Sequence, residues 1–266
     1  MESIRGAMKG IDLEEIRKRA NSLSSTTKIE QVPDTQYRCQ KCNDLEYIIF
    51  KDENGHDYGR ECECKKLRRT EKLMKSSKIT EEFQGKTFRN FNVTGRPEKV
   101  KEAREAAFNY TMNFEDIRNH RANSICLLGR PGCGKTHLLM ATSNNLLAKG
   151  VGVVYFPWVE GFNEIKNDFD KLEERIKRLQ MAEVLYIDDM FKGRSVPTDF
   201  QIEQAFAIIN YRYLEKKPIL ISSERSIMQL CEIDEGIGSR INEMCEEYRV
   251  VLTGGIELNY RLKSIS

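Results

Sequence analysis

The stretch SICLLGRPGCGKTHLL, Ser124 to Leu139, decides how the chain is read. A short apolar run, SICLLG, is followed at once by GRPGCGKT, Gly129 to Thr136, and then by a segment with helical character. The eight residues fit G-x-x-x-x-G-K-T, in which glycines let backbone N–H groups turn inward around phosphate oxygens. Lys135 is spaced to reach the β and γ phosphates, Thr136 to hold Mg²⁺, and the helix that begins there aims its positive end at the same anion. The loop residues Gly129, Arg130, Pro131, Gly132, Cys133 and Gly134, with His137 just beyond, are therefore candidate nucleotide contacts.

Outward from this loop the texture repeats. VGVVYF, VLYID, PILIS and YRVVLT are further short runs rich in Val, Ile, Leu and Tyr, separated by helical segments such as DFQIEQAFAIINYRYLEKK. Strands alternating with helices predict an α/β fold with a mostly parallel sheet covered on both faces. At the end of VLYIDD, Asp188 and Asp189 sit where a strand tip would bring Asp188 beside the metal held by Thr136 and Asp189 near the attacking water. A second Asp, where many ATPases carry Glu, reaches one methylene less far, and slow or partner-dependent hydrolysis is expected.

The first third of the chain reads differently. Cys39-x-x-Cys42 and Cys62-x-Cys64 are two close pairs separated by nineteen residues, among them LEYIIFKDENGHDYGRE, which has the pattern of a β-hairpin with its turn at ENGHD. Two such pairs can converge on four thiolates, a ligand set that suits Zn²⁺ in a closed structural site. The remaining cysteines, Cys126, Cys133, Cys231 and Cys245, are scattered and are expected to be small buried side chains. Between Arg60 and Lys75 seven Lys or Arg stand against three Glu, a solvated helix face or a contact for nucleic-acid phosphates.

The 266 residues carry a formal charge of only +2 although 32% are charged, so nucleic-acid affinity would have to come from local patches. No apolar run approaches the length of a membrane helix, and the start lacks the apolar core of a signal peptide, which predicts a cytoplasmic protein with no membrane partner. The expected organisation is an N-terminal segment and linker over 1–36, a zinc-binding module with a basic helix over 37–75, and a nucleotide-binding domain over 76–266. In the first of these, Leu13, Ile16 and Leu23 form a short apolar face suited to a partner's groove.

GRPGCGKTHL, LYIDDMFKG, IINYRYLEKKPILISSE, IDEGIGSRI and LNYR, in this order, resemble the AAA+ ATPases of the DnaC/DnaI helicase-loader group, especially their phage and prophage relatives. The resemblance implies an AAA+ P-loop domain that uses ATP and Mg²⁺. It also implies a hexameric replicative DNA helicase as partner, single-stranded DNA along the ATPase modules, and self-association of those modules. It assigns Lys135, Asp188 and Asp189 to catalysis, Arg240 of GIGSRI to the neighbouring subunit's nucleotide, and Arg261 of LNYR to sensing nucleotide from the C-terminal segment. The residue at the tip of PILISSE would orient the attacking water; Ser223 is the choice, with Ser222 and Glu224 as alternatives. IstB-type transposition helpers share these ATPase motifs, and the four-cysteine module counts against them. A metal-stabilised binding module whose nucleotide site is only a switch is the remaining alternative.

Overall fold

The computed structural model describes residues 37–262, which divide into two compact units at Arg60 and Glu61. The segment 1–36, read above as partner-binding, lies outside the described residues.

In the first unit the chain turns sharply through Asn43, Asp44 and Glu46, all with positive φ, and Asp44 Oδ1 accepts from the backbone N–H of Cys39 at 2.9 Å. The hairpin follows, β1 (Tyr47–Lys51) and β2 (Asp57–Glu61). Its turn is closed by Asp52, whose Oδ1 accepts from the backbone of Asn54 and His56 at 2.9 and 2.8 Å. Every residue of β2 is exposed.

The second unit opens with α1 (Glu63–Ser76), the basic helix, and a single helical turn, α2 (Glu81–Gln84). Then come α3 (Glu98–Ile117), β3 (Ile125–Gly129), α4 (Lys135–Ala148), β4 (Val153–Pro157), α5 (Trp158–Lys166) and α6 (Leu172–Met181). The chain continues through β5 (Val184–Met190), α7 (Asp199–Leu214), β6 (Ile219–Ser223), α8 (Ile227–Ile233), α9 (Glu235–Met244) and β7 (Arg249–Leu252). All five apolar runs of the sequence are strands of one sheet, ordered β4-β5-β6-β3-β7, and each neighbouring pair is parallel. No helix among the described residues is long and apolar enough to cross a membrane.

Alternation along the strands sorts their side chains into two cores. Ile125, Leu127, Tyr186 and Leu220 face α3 and α4, whereas Cys126, Leu128, Leu185, Ile187, Ile219 and Ile221 face the layer of α5 to α9. Full burial of each such aliphatic side chain contributes about 1.5–3 kcal/mol, so the sheet is the centre of the unit's stability. Helix starts are fixed locally: Thr198 and Gln201 form a reciprocal capping box on α7, and Ser226 and Gln229 do the same for α8.

Among the described residues, one charged side chain is fully inside this unit. Arg212, near the end of α7, donates to the carbonyls of Leu179, Gln180 and Ala182 at 2.8–3.0 Å, closing the C-terminal end of α6. It also donates to Pro218 O at 2.7 Å, directly before β6. Burial lowers its pKa to about 9, and the ring of carbonyls keeps the guanidinium solvated from within.

Candidate functional site

The loop between β3 and α4 is built by its glycines. Gly129, Gly132 and Gly134 all have positive φ, and none has room for a side chain: a Cβ on Gly129 would meet Leu252 O at 2.6 Å, one on Gly132 would meet Asn259 Oδ1 at 1.9 Å, and one on Gly134 would meet the Phe91 ring at 2.6 Å. Phe91 is thus a wedge beneath the loop as well as a core anchor, and its ring stands edge-on to His137 at 5.1 Å. Phe88, from the same segment, packs on Phe108 instead.

This loop forms one wall of a cleft of about 700 Å³. Lys135 lies on its floor, donating from Nζ to the carbonyls of Gly129 and Arg130 at 2.7 and 3.0 Å. Thr136 and His137 also line it, as do Asp188, Asp189 and Arg261. His137 Nε2 is 3.0 Å from both Thr87 O and Asn90 Oδ1, and burial lowers its pKa. The loop's own Cys133 is fully buried, as are Cys126 and Cys245, while Cys231 is half-buried.

Thr136 Oγ1 donates to Asp188 Oδ1 at 3.1 Å, so the two residues spaced for a metal are in contact. Asp188 is 6% exposed, and three more hydroxyls donate to it: Tyr155 to Oδ2 at 3.2 Å, Tyr186 to Oδ1 at 2.7 Å, and Ser222 to Oδ1. Burial raises the pKa of this carboxyl, and the hydroxyl donors oppose that shift. A carboxylate and a hydroxyl facing a phosphate-sized cleft are hard oxygen ligands of the kind Mg²⁺ takes, and the donor set fits the ion. When bound, Mg²⁺ would neutralise phosphate charge there.

Asp189 departs from strand geometry with φ +54°, and its backbone N–H donates to Ser222 Oγ at 2.7 Å. Its carboxylate pairs with Lys192 at 2.8 Å, and Lys192 pairs with Glu224 at 2.9 Å. Burial pulls the Lys192 pKa down, but these two carboxylates outweigh it and the net shift is upward.

The structure does not bring Ser223 to this group. Ser222 lies on the same face of β6 as Leu220, toward α4, whereas Ser223 follows Ile221 to the other face and donates to Met190 O at 2.8 Å. Of the three candidates at this strand tip, Ser222 touches both acids.

Arg240 lies outside the cleft. Its guanidinium rests 5.4 and 5.3 Å from the rings of Phe206 and Tyr213, and Nη1 donates to Gly236 O at 2.9 Å. Glu243, one turn away, is held instead by Tyr213 OH at 2.9 Å and by Arg121 at 3.7 Å.

Sequence reasoning missed Arg96. This buried side chain donates to Leu258 O at 2.7 Å and Cys133 O at 3.3 Å, and stacks 5.2 Å from the Tyr260 ring, tying the C-terminal segment to the loop. It stands in a turn, VTGRPE, whose composition signals nothing but a turn. Tyr155 and Lys192 were missed as well, one hidden among strand apolar residues and the other among surface lysines.

The Sγ atoms of Cys39, Cys42, Cys62 and Cys64 all lie within 4.8 Å of one another. Tetrahedral zinc with Zn–S bonds of about 2.3 Å needs sulfurs roughly 3.8 Å apart, and a cluster of this size meets that demand with small adjustments. Cys42 and Cys62 are buried, as the inner ligands of a closed structural site are.

The model of the bacterial DnaA ATPase domain matches residues 84–245. The chain is 42% identical over 258 residues to the phage-like element PBSX protein XkdC of Bacillus subtilis, covering 95% of this chain and 96% of that one. It is 30% identical over 171 residues to a protein of insertion sequence IS5376 from Geobacillus stearothermophilus, 64% and 63% of the two chains. Against the replicative helicase loader DnaI of Bacillus subtilis it is 27% identical over 165 residues, 60% and 50%. In fold it is similar to the crystal structure of the DnaC helicase loader, with a TM-score of 0.55 at 23% identity over 65% of this chain and 100% of that one. The chain belongs to the family of the bacterial DnaA ATPase domain, as an AAA+ P-loop protein.

Proposed function

We propose that the protein is an ATP-switched loader that places a hexameric replicative helicase on single-stranded DNA in phage or prophage replication. The observation that carries this reading is the conjunction of a P-loop cleft, with Thr136 on Asp188, and a four-thiol cluster in the same chain. The similarity to the loader DnaI and to a phage-element protein supports it. In this reading Zn²⁺ on Cys39, Cys42, Cys62 and Cys64 holds a module that, with residues 1–36, binds the helicase.

ATP sits on Gly129 to His137 with Lys135 on its β and γ phosphates, and Mg²⁺ on Thr136 and Asp188. Asp189 orients the attacking water, with Ser222 rather than Ser223 fixing the acid pair, and Arg261 reads the bound nucleotide. Arg240 acts on a neighbouring copy, an assignment supported by its aromatic shelf outside the chain's own cleft. For DNA, the basic helix α1 and the segment over α5 and α6, with Lys166, Lys171, Arg175, Lys177 and Arg178 among its acids, are neighbours within the second unit: Arg178 of α6 donates to Ser76 O at 2.6 Å, and Lys78 pairs with Glu164 of α5 at 2.8 Å. Turnover of the isolated chain is slow, and ATP times the release of the helicase.

Co-purification with the host's replicative helicase, with and without ATP, followed by loading on single-stranded circles, tests the proposal. Removal of residues 1–66 is expected to abolish helicase capture while nucleotide binding persists; capture by the shortened chain would overturn this division. The likeness to the insertion-sequence protein supports a second reading, a transposition helper. That reading requires binding to a transposase and no helicase capture.

A further inference from the structure

We propose that Lys192 is a positioning residue that holds Asp189 out of action, so that its release from Asp189 sets the rate of hydrolysis. The inference rests on the reading of Asp189 as the acid that orients water.

The side chains belong to two strand ends. Asp189 is the penultimate residue of β5, Lys192 sits in the turn that follows it, and Glu224 directly follows β6. A single ammonium bridges both carboxylates, at 2.8 Å to Asp189 Oδ2 and 2.9 Å to Glu224 Oε1. The turn itself is constrained. Asp189 and Phe191 both have left-handed φ, at +54° and +59°, and Lys192 N–H donates to Asp189 O at 3.0 Å. Phe191 is buried against Trp158 with ring centres 4.6 Å apart, so the backbone of Lys192 is anchored while its side chain folds back over the acid. Lys192 also lines the nucleotide cleft.

A carboxylate that orients water must accept a hydrogen bond from it. An ammonium on Asp189 Oδ2 occupies that oxygen, and the water that hydrolysis needs competes for the same lone pairs. Glu224 offers the ammonium an alternative partner in reach. Swinging Lys192 wholly onto Glu224 frees Asp189 without moving the backbone. Rotation of one side chain between two carboxylates is thus sufficient to separate a resting from a hydrolysing cleft.

The test is single-turnover ATP hydrolysis by the full chain. Lys192→Met is expected to raise the basal rate roughly tenfold, with the affinity for a fluorescent ATP analogue changed by less than about twofold. Lys192→Arg, which restores a cation, is expected to return the rate to the slow level. Glu224→Gln leaves Asp189 as the stronger partner for Lys192 and is expected to lower the rate. The gain must vanish in the double variant Lys192→Met, Asp189→Asn. A rate unchanged or reduced in Lys192→Met overturns the proposal, as does a gain that persists without Asp189 or a gain in Glu224→Gln. The site reading fails separately: Lys135→Ala that keeps both binding and turnover would remove the nucleotide site itself, whatever Lys192 does.

Discussion

The two units build strands from similar residues and put them in opposite surroundings. In the second unit β5 and β6 are buried along almost their whole length, with helices on both faces. In the first, YIIFK and DYGRE form a two-stranded hairpin with Ile49, Phe50 and Tyr58 exposed. An isolated two-stranded hairpin is marginal in water, because it buries too little apolar surface to offset the entropy of ordering its chain. One unit is therefore stabilised by burial, and the other is where a bound metal would contribute most.

Metal removal gives the sharpest break between them. Structural zinc contributes about 10–16 kcal/mol to small sites of this kind. Purified protein is expected to contain close to one zinc per chain. Chelation, or Cys62→Ser, is expected to remove it together with hydrogen-exchange protection over 39–61, while the main thermal transition shifts by no more than about 2 °C. A main transition that collapses with the zinc would show that the sheet depends on the metal too.

The next largest effect belongs to the buried unit. Arg212 replaced by Met strands several carbonyls that now share one guanidinium, at the end of α6 and before β6. Breaking such a buried polar cluster costs about 3–5 kcal/mol. Urea unfolding is expected to show that loss with an unchanged slope, and zinc content unaffected. A loss below about 1 kcal/mol would mean that water satisfies those carbonyls.

A smaller contrast lies within the nucleotide loop. Gly134→Ala combines a φ of +104° with the Phe91 ring at 2.6 Å, and is expected to cost about 2–3 kcal/mol and to weaken nucleotide binding. Gly95→Ala has φ +67° and open space around its Cβ, so about 1 kcal/mol and no effect on nucleotide is expected. Equal effects at the two glycines would leave no role for the Phe91 wedge.

The same division explains what could be read in advance. The five strands and the P-loop were legible because periodicity and a dense motif are local properties of a sequence. The hairpin and the paired cysteines were legible for the same reason. The choice between Ser222 and Ser223 was not, because it depends on which face of β6 meets the acids, and the register between β5 and β6 shifts between Ile187 and Met190. Arg212 reads as one more charge near a helix end, since its carbonyl partners come from a helix end some thirty residues earlier in the chain. Arg240 offers Glu243 at helical spacing, yet two aromatic rings of α7 take the guanidinium instead.

The smallest expected effect tests the acid at the centre of the cleft. Tyr186 and Tyr155 each donate a hydroxyl to Asp188, but from different strands and to different oxygens. Burial, together with the neighbouring carboxylate, pushes both phenols well above their ordinary pKa, so they stay protonated donors. Tyr186→Phe leaves Oδ1 with Thr136 and Ser222, which is a reason to expect a loss of only about 1 kcal/mol in stability. Tyr155→Phe removes the hydroxyl that Oδ2 accepts from Tyr155, so the carboxylate is less firmly oriented. In this case the Mg²⁺ concentration needed for half-maximal binding of a fluorescent ATP analogue is expected to rise roughly threefold. The Tyr186 variant should move it less. If both variants shift the Mg²⁺ dependence equally, the two oxygens of Asp188 are interchangeable and the strand of origin does not matter. If neither shifts it, Thr136 and Ser222 suffice to orient the acid, and the tyrosines serve only to fill the core beneath it.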